Sequence, residues 1–171
     1  MTSTPEESPV TAEPRSAEEH GRSLTGHSPK AKAWRSFLEA SALITQQMEK
    51  RLHAATGLKL ADYNLLLTLA EAPQQALRMG ELAEHMIFSP SRISYQVKVL
   101  SERGLVERFH CSQDKRGMTA RLTPAGQEAF AAASKVHAQH IRELFHPALD
   151  DAEAEQLRVI SENMQRHLGS V

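Results

Sequence analysis

The feature that most constrains this chain is a set of helix signals between Ser89 and Gly104. Ser89 is a favourable N-cap, because its hydroxyl can accept a hydrogen bond from a first-turn N–H that has no partner within the helix. Pro90 follows at the first helical position, where its missing N–H costs nothing. Gly104 suits the position just past the end, since glycine readily adopts the left-handed conformation found there. We therefore predict a helix that begins at Pro90 and ends before Gly104.

This predicted helix has two chemically different faces. Ile93, Val97 and Leu100 recur at the i, i+4, i+7 spacing of an inward apolar stripe. The other side carries hydroxyls, one aromatic ring, two cations and one acid, from Ser91, Arg92, Ser94, Tyr95, Lys98 and Glu102. Hydrogen-bond donors and cations of this kind suit base edges and phosphates.

A two-stranded ribbon is predicted directly after the helix. Residues 105–109 read as a short apolar-rich strand, and residues 118–123 alternate apolar and polar side chains as a half-buried strand does. The polar loop 110–117 between them contains Asp114 and Arg116. An arginine at such a tip can enter the minor groove of DNA, and a nearby aspartate can hold its guanidinium in place.

The order of the elements is more informative than any one of them. An amphipathic helix alone is usually a packing element, and a polar hairpin tip is usually a solvated turn. Here a short helix at 79–86, a turn, the capped helix, a glycine, a strand, a basic tip and a second strand follow one another. This order indicates a winged helix-turn-helix.

The same residues resemble a known family. GELAEHMIFSPSRISYQVKVLSERGLVER (80–108), followed by DKRGMTARLTPAG (114–126), is similar to the MarR family of bacterial transcription regulators. The Asp-x-Arg element of the wing and the closing Leu122-Thr123-x-x-Gly126 are its more specific parts, and the resemblance covers roughly residues 33–168. It implies a DNA-binding regulator, usually a repressor, whose first helix contributes to a dimer.

The rest of the chain divides into a tail and further helices. Residues 1–29 hold four of the eight prolines and little apolar content, which predicts a flexible tail. A helix over 30–56 would be about 40 Å long. A small winged-helix core cannot cover that length, so part of its apolar stripe must pack elsewhere, most simply on a second subunit. We predict a helical dimerisation module (30–57 and 124–169) and a winged helix-turn-helix DNA-binding lobe (58–123), hence a mainly α fold with a small β-wing.

Charge and cysteine content narrow the functional class. The net charge is −1, which is not the global basicity of a non-specific nucleic-acid binder. Residues 78–121 nevertheless hold eight Lys/Arg against five Asp/Glu, a local positive surplus. The single cysteine, Cys111, leaves no internal disulfide. The acidic, polar N-terminus is no secretory signal and no apolar run is long enough to span a membrane, so we expect a cytoplasmic protein with no membrane partner.

The expected target is double-stranded DNA with a palindrome-like promoter site. A symmetric dimer would place two recognition helices about 34 Å apart, one turn of B-DNA. Arg116 is expected in the minor groove, oriented by Asp114. The predicted DNA-binding residues are Ser89, Pro90, Ser91, Arg92, Ser94, Tyr95, Lys98, Asp114, Lys115, Arg116 and Arg121.

The resemblance also implies release from DNA by a small aromatic or phenolic ligand, bound between the dimer module and the DNA-binding lobe. In this sequence that junction would involve Trp34, Leu38, Leu60 and Tyr63. The same residues equally fit a packed core. The urate-responsive branch of the family carries an acidic residue where this chain has Asn64, so urate is not expected.

Other regulator classes use residues that are also present here. A metal-responsive regulator would use His137 and His140, with His146 nearby, since paired histidines can bind zinc. No cysteine or close carboxylate completes the set, so neither a metal nor a cofactor is predicted. A redox-responsive regulator would use Cys111, which lies in the predicted wing loop and not in the first helix, where the family's oxidation-sensing branch keeps its cysteine.

Two further functional classes receive less support. The sequence shows no phosphate loop, nucleophile elbow or HExxH pattern, so an enzyme is not predicted. A winged helix that serves only protein–protein contact is the remaining alternative. The basic outer face of the predicted helix and the basic wing tip argue against it.

Overall fold

The computed structural model describes residues 28–86, 89–111 and 114–169, apart from the side chains of residues 111 and 114–116. The prediction of a flexible tail lies outside these residues, except that Ser28 and Pro29 begin the first helix. The helices and strands of the described chain are α1 (Pro29–Thr56), α2 (Leu60–Glu71), β1 (Ala76–Arg78), α3 (Met79–Met86), α4 (Pro90–Glu102), β2 (Val106–Cys111), β3 (Asp114–Leu122), α5 (Pro124–His140) and α6 (Asp151–Gly169). The predicted fold class, mainly α with a small β-wing, is confirmed.

The chain forms two compact units, Met1–Leu43 and Ile44–Val171. The described part of the first unit is the start of α1, where the Ser28 hydroxyl accepts a hydrogen bond from the Ala31 N–H at 3.1 Å. Its large apolar side chains are exposed, with Trp34 at 61% and Leu43 at 61% of their full accessibility. The described part of this unit therefore carries exposed apolar side chains along α1.

The core of the second unit is aliphatic and centres on α2. Leu65, Leu66 and Leu69 of this helix are fully buried. Other helices and both long strands add to the same cluster, which includes Leu52, Leu58, Leu82, Ile93, Val97, Leu100, Val106, Ala120, Leu122 and Ala133. Each fully buried side chain of leucine size contributes about 1.5–3 kcal/mol. The predicted inward stripe of α4, which is Ile93, Val97 and Leu100, is thus confirmed.

The turn between α1 and α2 is held by polar contacts of the backbone. Gly57 follows the last residue of α1 and has φ +68°. This is the left-handed conformation in which helices commonly end. The Glu49 carboxylate accepts a hydrogen bond from the Leu60 N–H at 2.6 Å, and Asp62 accepts one from the Lys59 N–H at 3.1 Å. Both carboxylates satisfy N–H groups at the start of α2, where a helix has no internal acceptors. These contacts fix the first turn of α2.

The three strands form one antiparallel sheet in the order β1-β3-β2. In β1, Leu77 pairs with Ala120, so residues 76–78 form a strand that the sequence analysis does not predict. In β2 and β3, pairing extends from Val106↔Leu122 to Cys111↔Asp114, so much of the predicted loop 110–117 is strand. The loop prediction was therefore wrong, and β1 was missed for the same reason. A three-residue strand and a solvated ribbon are held by backbone hydrogen bonds and need no apolar alternation.

The last third of the chain is mainly helical. Thr123 caps α5, and its hydroxyl accepts a hydrogen bond from the Gly126 N–H at 3.0 Å. The helix then widens into a π-helical turn, Ile141–Phe145, before Pro147. Asp150 and Glu153 form a reciprocal cap at the start of α6: the Asp150 N–H donates to the Glu153 carboxylate at 3.0 Å, and the Glu153 N–H donates to the Asp150 carboxylate at 2.8 Å. Among the described residues, no helix combines the length and apolar character needed to cross a membrane.

Candidate nucleic-acid interface

The start of α4 is built as the sequence predicts. The Ser89 hydroxyl accepts a hydrogen bond from the Arg92 N–H at 3.4 Å, and its oxygen lies 3.2 Å from the Ser91 hydroxyl. Pro90 occupies the first helical position. Ser89, Pro90 and Ser91 are all exposed. Small hydroxyl side chains at an exposed helix start allow a close approach to a phosphate backbone.

The predicted contact face of α4 lies in solvent. Tyr95 is 71% exposed, and Arg92, Ser94 and Lys98 are exposed around it. Lys98 Nζ lies 3.8 Å from a Glu102 oxygen, a loose surface contact that leaves the ammonium group free to move. Because the opposite face is buried in the core, the rotation of α4 about its own axis is fixed. One polar and cationic face is thereby presented outwards.

The carboxyl-terminal end of α4 is tied to the start of α2. Arg103 Nη1 lies 3.6 Å from Asp62 Oδ2, and Arg103 Nη2 donates to the Gly57 carbonyl at 3.4 Å. Gly104 then takes φ +72°, and the Leu105 N–H returns to the Leu100 carbonyl at 3.0 Å. These contacts end the helix and direct the chain into β2.

Thr123 joins the base of the wing to α5. Its hydroxyl donates to the Gly104 carbonyl at 2.7 Å, and its N–H donates to the Leu105 carbonyl at 3.2 Å. Gly126 is buried against the same segment. The Leu122-Thr123-x-x-Gly126 element thus has a structural role, because it locks the end of the wing onto the end of α4.

The wing's described side chains form a cross-strand cluster. Arg121 Nη1 lies 3.3 Å from Glu107 Oε1, the residue opposite it in the ladder, and its guanidinium carbon lies 4.3 Å from the centre of the Phe109 ring. This places Arg121 on the ribbon surface with a carboxylate and an aromatic partner. The backbone of residues 114–116 belongs to β3, while the side chains of Asp114, Lys115 and Arg116 lie outside those described. Their predicted roles stay predictions.

Known proteins match both this sequence and this fold. Residues 56–117 match a family model described as MarR family. AbsC, a MarR family transcriptional regulator from Streptomyces coelicolor, matches the structure with a TM-score of 0.79 at 32% sequence identity, over 84% of this chain and 97% of AbsC. The chain belongs to the MarR family.

Two further matches agree with this assignment. Sco3205, a MarR family transcriptional regulator from Streptomyces coelicolor solved in complex with DNA, has a TM-score of 0.78 at 32% identity, over 82% of this chain and 92% of Sco3205. The HTH-type transcriptional regulator PrsX of Escherichia coli is 25% identical over 117 residues, which are 68% of this chain and 70% of PrsX. This MarR-family protein is a DNA-binding transcriptional regulator. The prediction that it is not an enzyme is confirmed by its family.

The four residues predicted for an effector pocket have different environments in this MarR-family chain. Trp34 and Leu38 are exposed in the first unit. In the second unit, Leu60 packs against the core, and Tyr63 is buried with its ring 5.9 Å from Phe130 and 4.6 Å from His137. Both aromatic contacts of Tyr63 are those of a packing residue. The pocket stays a prediction.

The histidines proposed for a metal lie near the end of α5. Burial lowers the pKa of His137, and the neighbouring His140 lowers it further. Burial is also the main reason that the pKa of His140 is lowered, with Arg51 acting in the same direction and Glu143 opposing it. Within residues 28–86, 89–111 and 114–169, no group of three or more His, Cys, Asp or Glu side chains could hold a metal ion.

Sequence reasoning missed a polar cavity between α2 and α4 in this MarR-family regulator. Gln96 is only 7% exposed, and among the described residues its Nε2 has no hydrogen-bond partner. A buried donor left in this state costs about 1–3 kcal/mol. The signal was present in the sequence, since Gln96 lies between Ile93 and Leu100 on the side of α4 that faces inwards. A polar residue there predicts either a buried partner or a site.

Proposed function

We propose that this MarR-family chain is a homodimeric repressor that reads a palindromic promoter site and is released by a small organic ligand. The observation that carries the proposal is the exposed polar face of α4, held in place by a fully buried apolar stripe. The solved complex of Sco3205 with DNA supports it, because that relative is 32% identical and shares the fold.

The proposed DNA contacts come from two elements. Ser91, Arg92, Tyr95 and Lys98 of α4 would enter the major groove, with Ser89, Pro90 and Ser94 along its edge. Arg116 would enter the adjoining minor groove, oriented by Asp114. Lys115 and Arg121 would contact phosphates. Phosphate contacts position the protein, and contacts to base edges specify the sequence.

The proposed dimer is supported by exposed apolar side chains on the first and the last described helix. The exposed side chains on α1 include Trp34 and Phe37, and those on α6 are Val159, Ile160, Met164 and Leu168. Leu168 alone is 72% exposed. Soluble monomers rarely expose contiguous apolar stripes of this kind. A second copy of the chain would cover them, with residues 30–57 and 124–169 as the dimerisation module and residues 58–123 as the DNA-binding lobe.

The alternatives receive less support. A metal-responsive regulator would need a ligand set that the described residues lack. A redox-responsive regulator would use Cys111, whose side chain lies outside those described, so this hypothesis stays untested. The cytoplasmic location also stays a prediction.

The proposal is tested with the protein and the intergenic DNA upstream of its own reading frame. Fluorescence anisotropy is measured at two salt concentrations, with a scrambled duplex of equal length as the control. We expect specific binding whose affinity falls with salt, because phosphate contacts release counterions. A promoter–reporter strain with and without the protein gives the sign of regulation. Equal affinity for the genomic and scrambled duplexes would contradict the proposal.

A further inference from the structure

The outer face of the wing carries an arginine that two side chains of the neighbouring strand hold in place. Glu107 is the cross-strand partner of Arg121, and Phe109 follows two residues later in β2, on the same side of the ribbon. Ala120 and Leu122, which flank Arg121 in β3, are buried in the core. Because side chains alternate along a strand, Arg121 points away from the core. Its side chain is 42% exposed.

Glu107 fixes one edge of the Arg121 guanidinium. Arg121 Nη1 donates a hydrogen bond to Glu107 Oε1 at 3.3 Å, on the exposed surface of the ribbon. An exposed ion pair of this kind contributes little to the free energy of unfolding. It does restrict the side chain, and it engages the guanidinium at Nη1. The N–H groups on Nε and Nη2 form the fork that matches two oxygens of a phosphate.

Phe109 supports the flat side of the same guanidinium. The guanidinium carbon of Arg121 lies 4.3 Å from the centre of the Phe109 ring. This distance is well inside the limit of about 6 Å for a cation–π contact. One hydrogen bond leaves a guanidinium free to turn about that bond, and the ring restricts this rotation. The carboxylate and the ring together therefore define both the place and the tilt of the group.

The two contacts bear on DNA binding, because a long side chain such as arginine loses conformational entropy when an interface fixes it. A side chain that is already held before binding loses less. We propose that Phe109 is a positioning residue for DNA binding, since its ring holds the Arg121 guanidinium ready to contact a phosphate. This inference rests on the proposed function, in which Arg121 contacts the DNA backbone.

The first arm of the test examines the phosphate contact itself. The affinity of the full-length protein for its cognate duplex and for a scrambled duplex is measured by fluorescence anisotropy over a series of salt concentrations. We expect Arg121→Gln to weaken binding to both duplexes by the same factor, about tenfold, because a phosphate contact carries no sequence information. The slope of log affinity against log salt concentration is expected to fall in magnitude by about one.

The second arm is a double-mutant cycle between Phe109 and Arg121. Phe109→Ile removes the ring but keeps a side chain that favours strands. We expect it to weaken binding about threefold when Arg121 is present, and to have no effect in the Arg121→Gln protein. Phe109→Tyr keeps the ring and is the matched control, with wild-type affinity expected. A thermal melt checks that each variant is folded, and Phe109→Leu gives the same comparison if the isoleucine variant is not.

The results separate this proposal from the proposed function. If Arg121→Gln changes neither affinity nor salt slope while the wild type binds its cognate duplex specifically, the proposal is overturned and DNA binding through α4 stands. If Phe109→Ile weakens binding equally with and without Arg121, Phe109 only packs the wing and is not a positioning residue. Tighter binding of Phe109→Ile would mean that the ring holds Arg121 away from DNA, which also overturns the proposal. If the wild type binds no duplex specifically, the proposed function fails and this proposal fails with it.

Discussion

The backbone carbonyl oxygen of Leu105 lies where a side chain on Gly126 would begin: a Cβ at Gly126 would be 2.0 Å from that oxygen. The first turn of α5 therefore rests directly on the segment that joins α4 to the wing. Thr123 strengthens the same junction through its hydrogen bond to Gly104. The orientation of the wing relative to α4 depends on this close approach.

We expect Gly126→Ala to lower the free energy of unfolding by about 3 kcal/mol, because the two nearest atoms belong to the backbone of Leu105 and cannot move aside. Urea denaturation measures the change. Gly80→Ala is the matched control, since a Cβ there meets nothing within 4 Å and alanine favours the helix in which it lies. Equal effects of the two substitutions would contradict the packing described for Gly126.

The two histidines near the end of α5 predict a pH dependence of stability. Burial lowers the pKa of His137 and of His140 from 6.5, so the unfolded chain binds protons that the folded chain does not. Stability is then full above about pH 6.5 and falls as the pH drops through and below that value. We expect His137→Phe to flatten this dependence while keeping a ring against Tyr63. Urea denaturation of the wild type and of the variant between pH 7.5 and 5.5 measures how the free energy of unfolding depends on pH in each. If this dependence is equally steep in the variant, His137 does not contribute to it.

The exposed stripe on α6 predicts how the proposed dimer can be separated. Ile160→Glu would place a charge in the apolar interface, and we expect the dimer dissociation constant to rise at least tenfold. Sedimentation velocity over a concentration series measures it. Gln165→Glu is the control, since Gln165 lies on the face of α6 that carries Arg158 and Glu162. If the dimers of both variants dissociated, or if neither did, the result would argue against this stripe as the dimer interface.

The wing tip is tested separately from α4. We expect Arg116→Ala to weaken binding to a cognate duplex by about 1–3 kcal/mol, if its guanidinium enters the minor groove. Anisotropy at fixed salt measures the affinity. Lys135→Ala, which removes an exposed cation of α5, is expected to leave it unchanged. Unaltered affinity of the Arg116 variant would remove the wing from the mechanism.

The parts of the fold that the sequence predicted are those with strong local signals. Ser89 caps α4 as predicted, and Gly104 ends it with positive φ. Thr123 and the Asp150–Glu153 pair cap α5 and α6 through the same kind of local signal. The apolar spacing of α4 correctly identified its buried face. The caps and the terminal glycines are residue types that suit one position of a helix, and the apolar spacing identifies one face of it.

The parts that were missed depend on contacts distant in sequence. β1 is defined by its pairing with β3. In the turn before it, Gln74 and Gln75 have φ +56° and +54°, and the sequence has no glycine or asparagine there to indicate a left-handed conformation. The cavity beside Gln96 arises only when α2 packs against α4. Arg121 was predicted to contact phosphate, but its partners Glu107 and Phe109 lie across a strand and could not be identified from spacing alone.

The central claim is that the exposed face of α4 binds DNA, and Arg92→Ala tests it most directly. The affinity of the dimer for its cognate duplex is measured by anisotropy at constant salt and compared with Arg142→Ala, an exposed arginine outside this face. Loss of one base or phosphate contact predicts roughly 1–3 kcal/mol weaker binding for Arg92→Ala and no change for Arg142→Ala. Wild-type affinity of a folded Arg92→Ala protein would contradict the account.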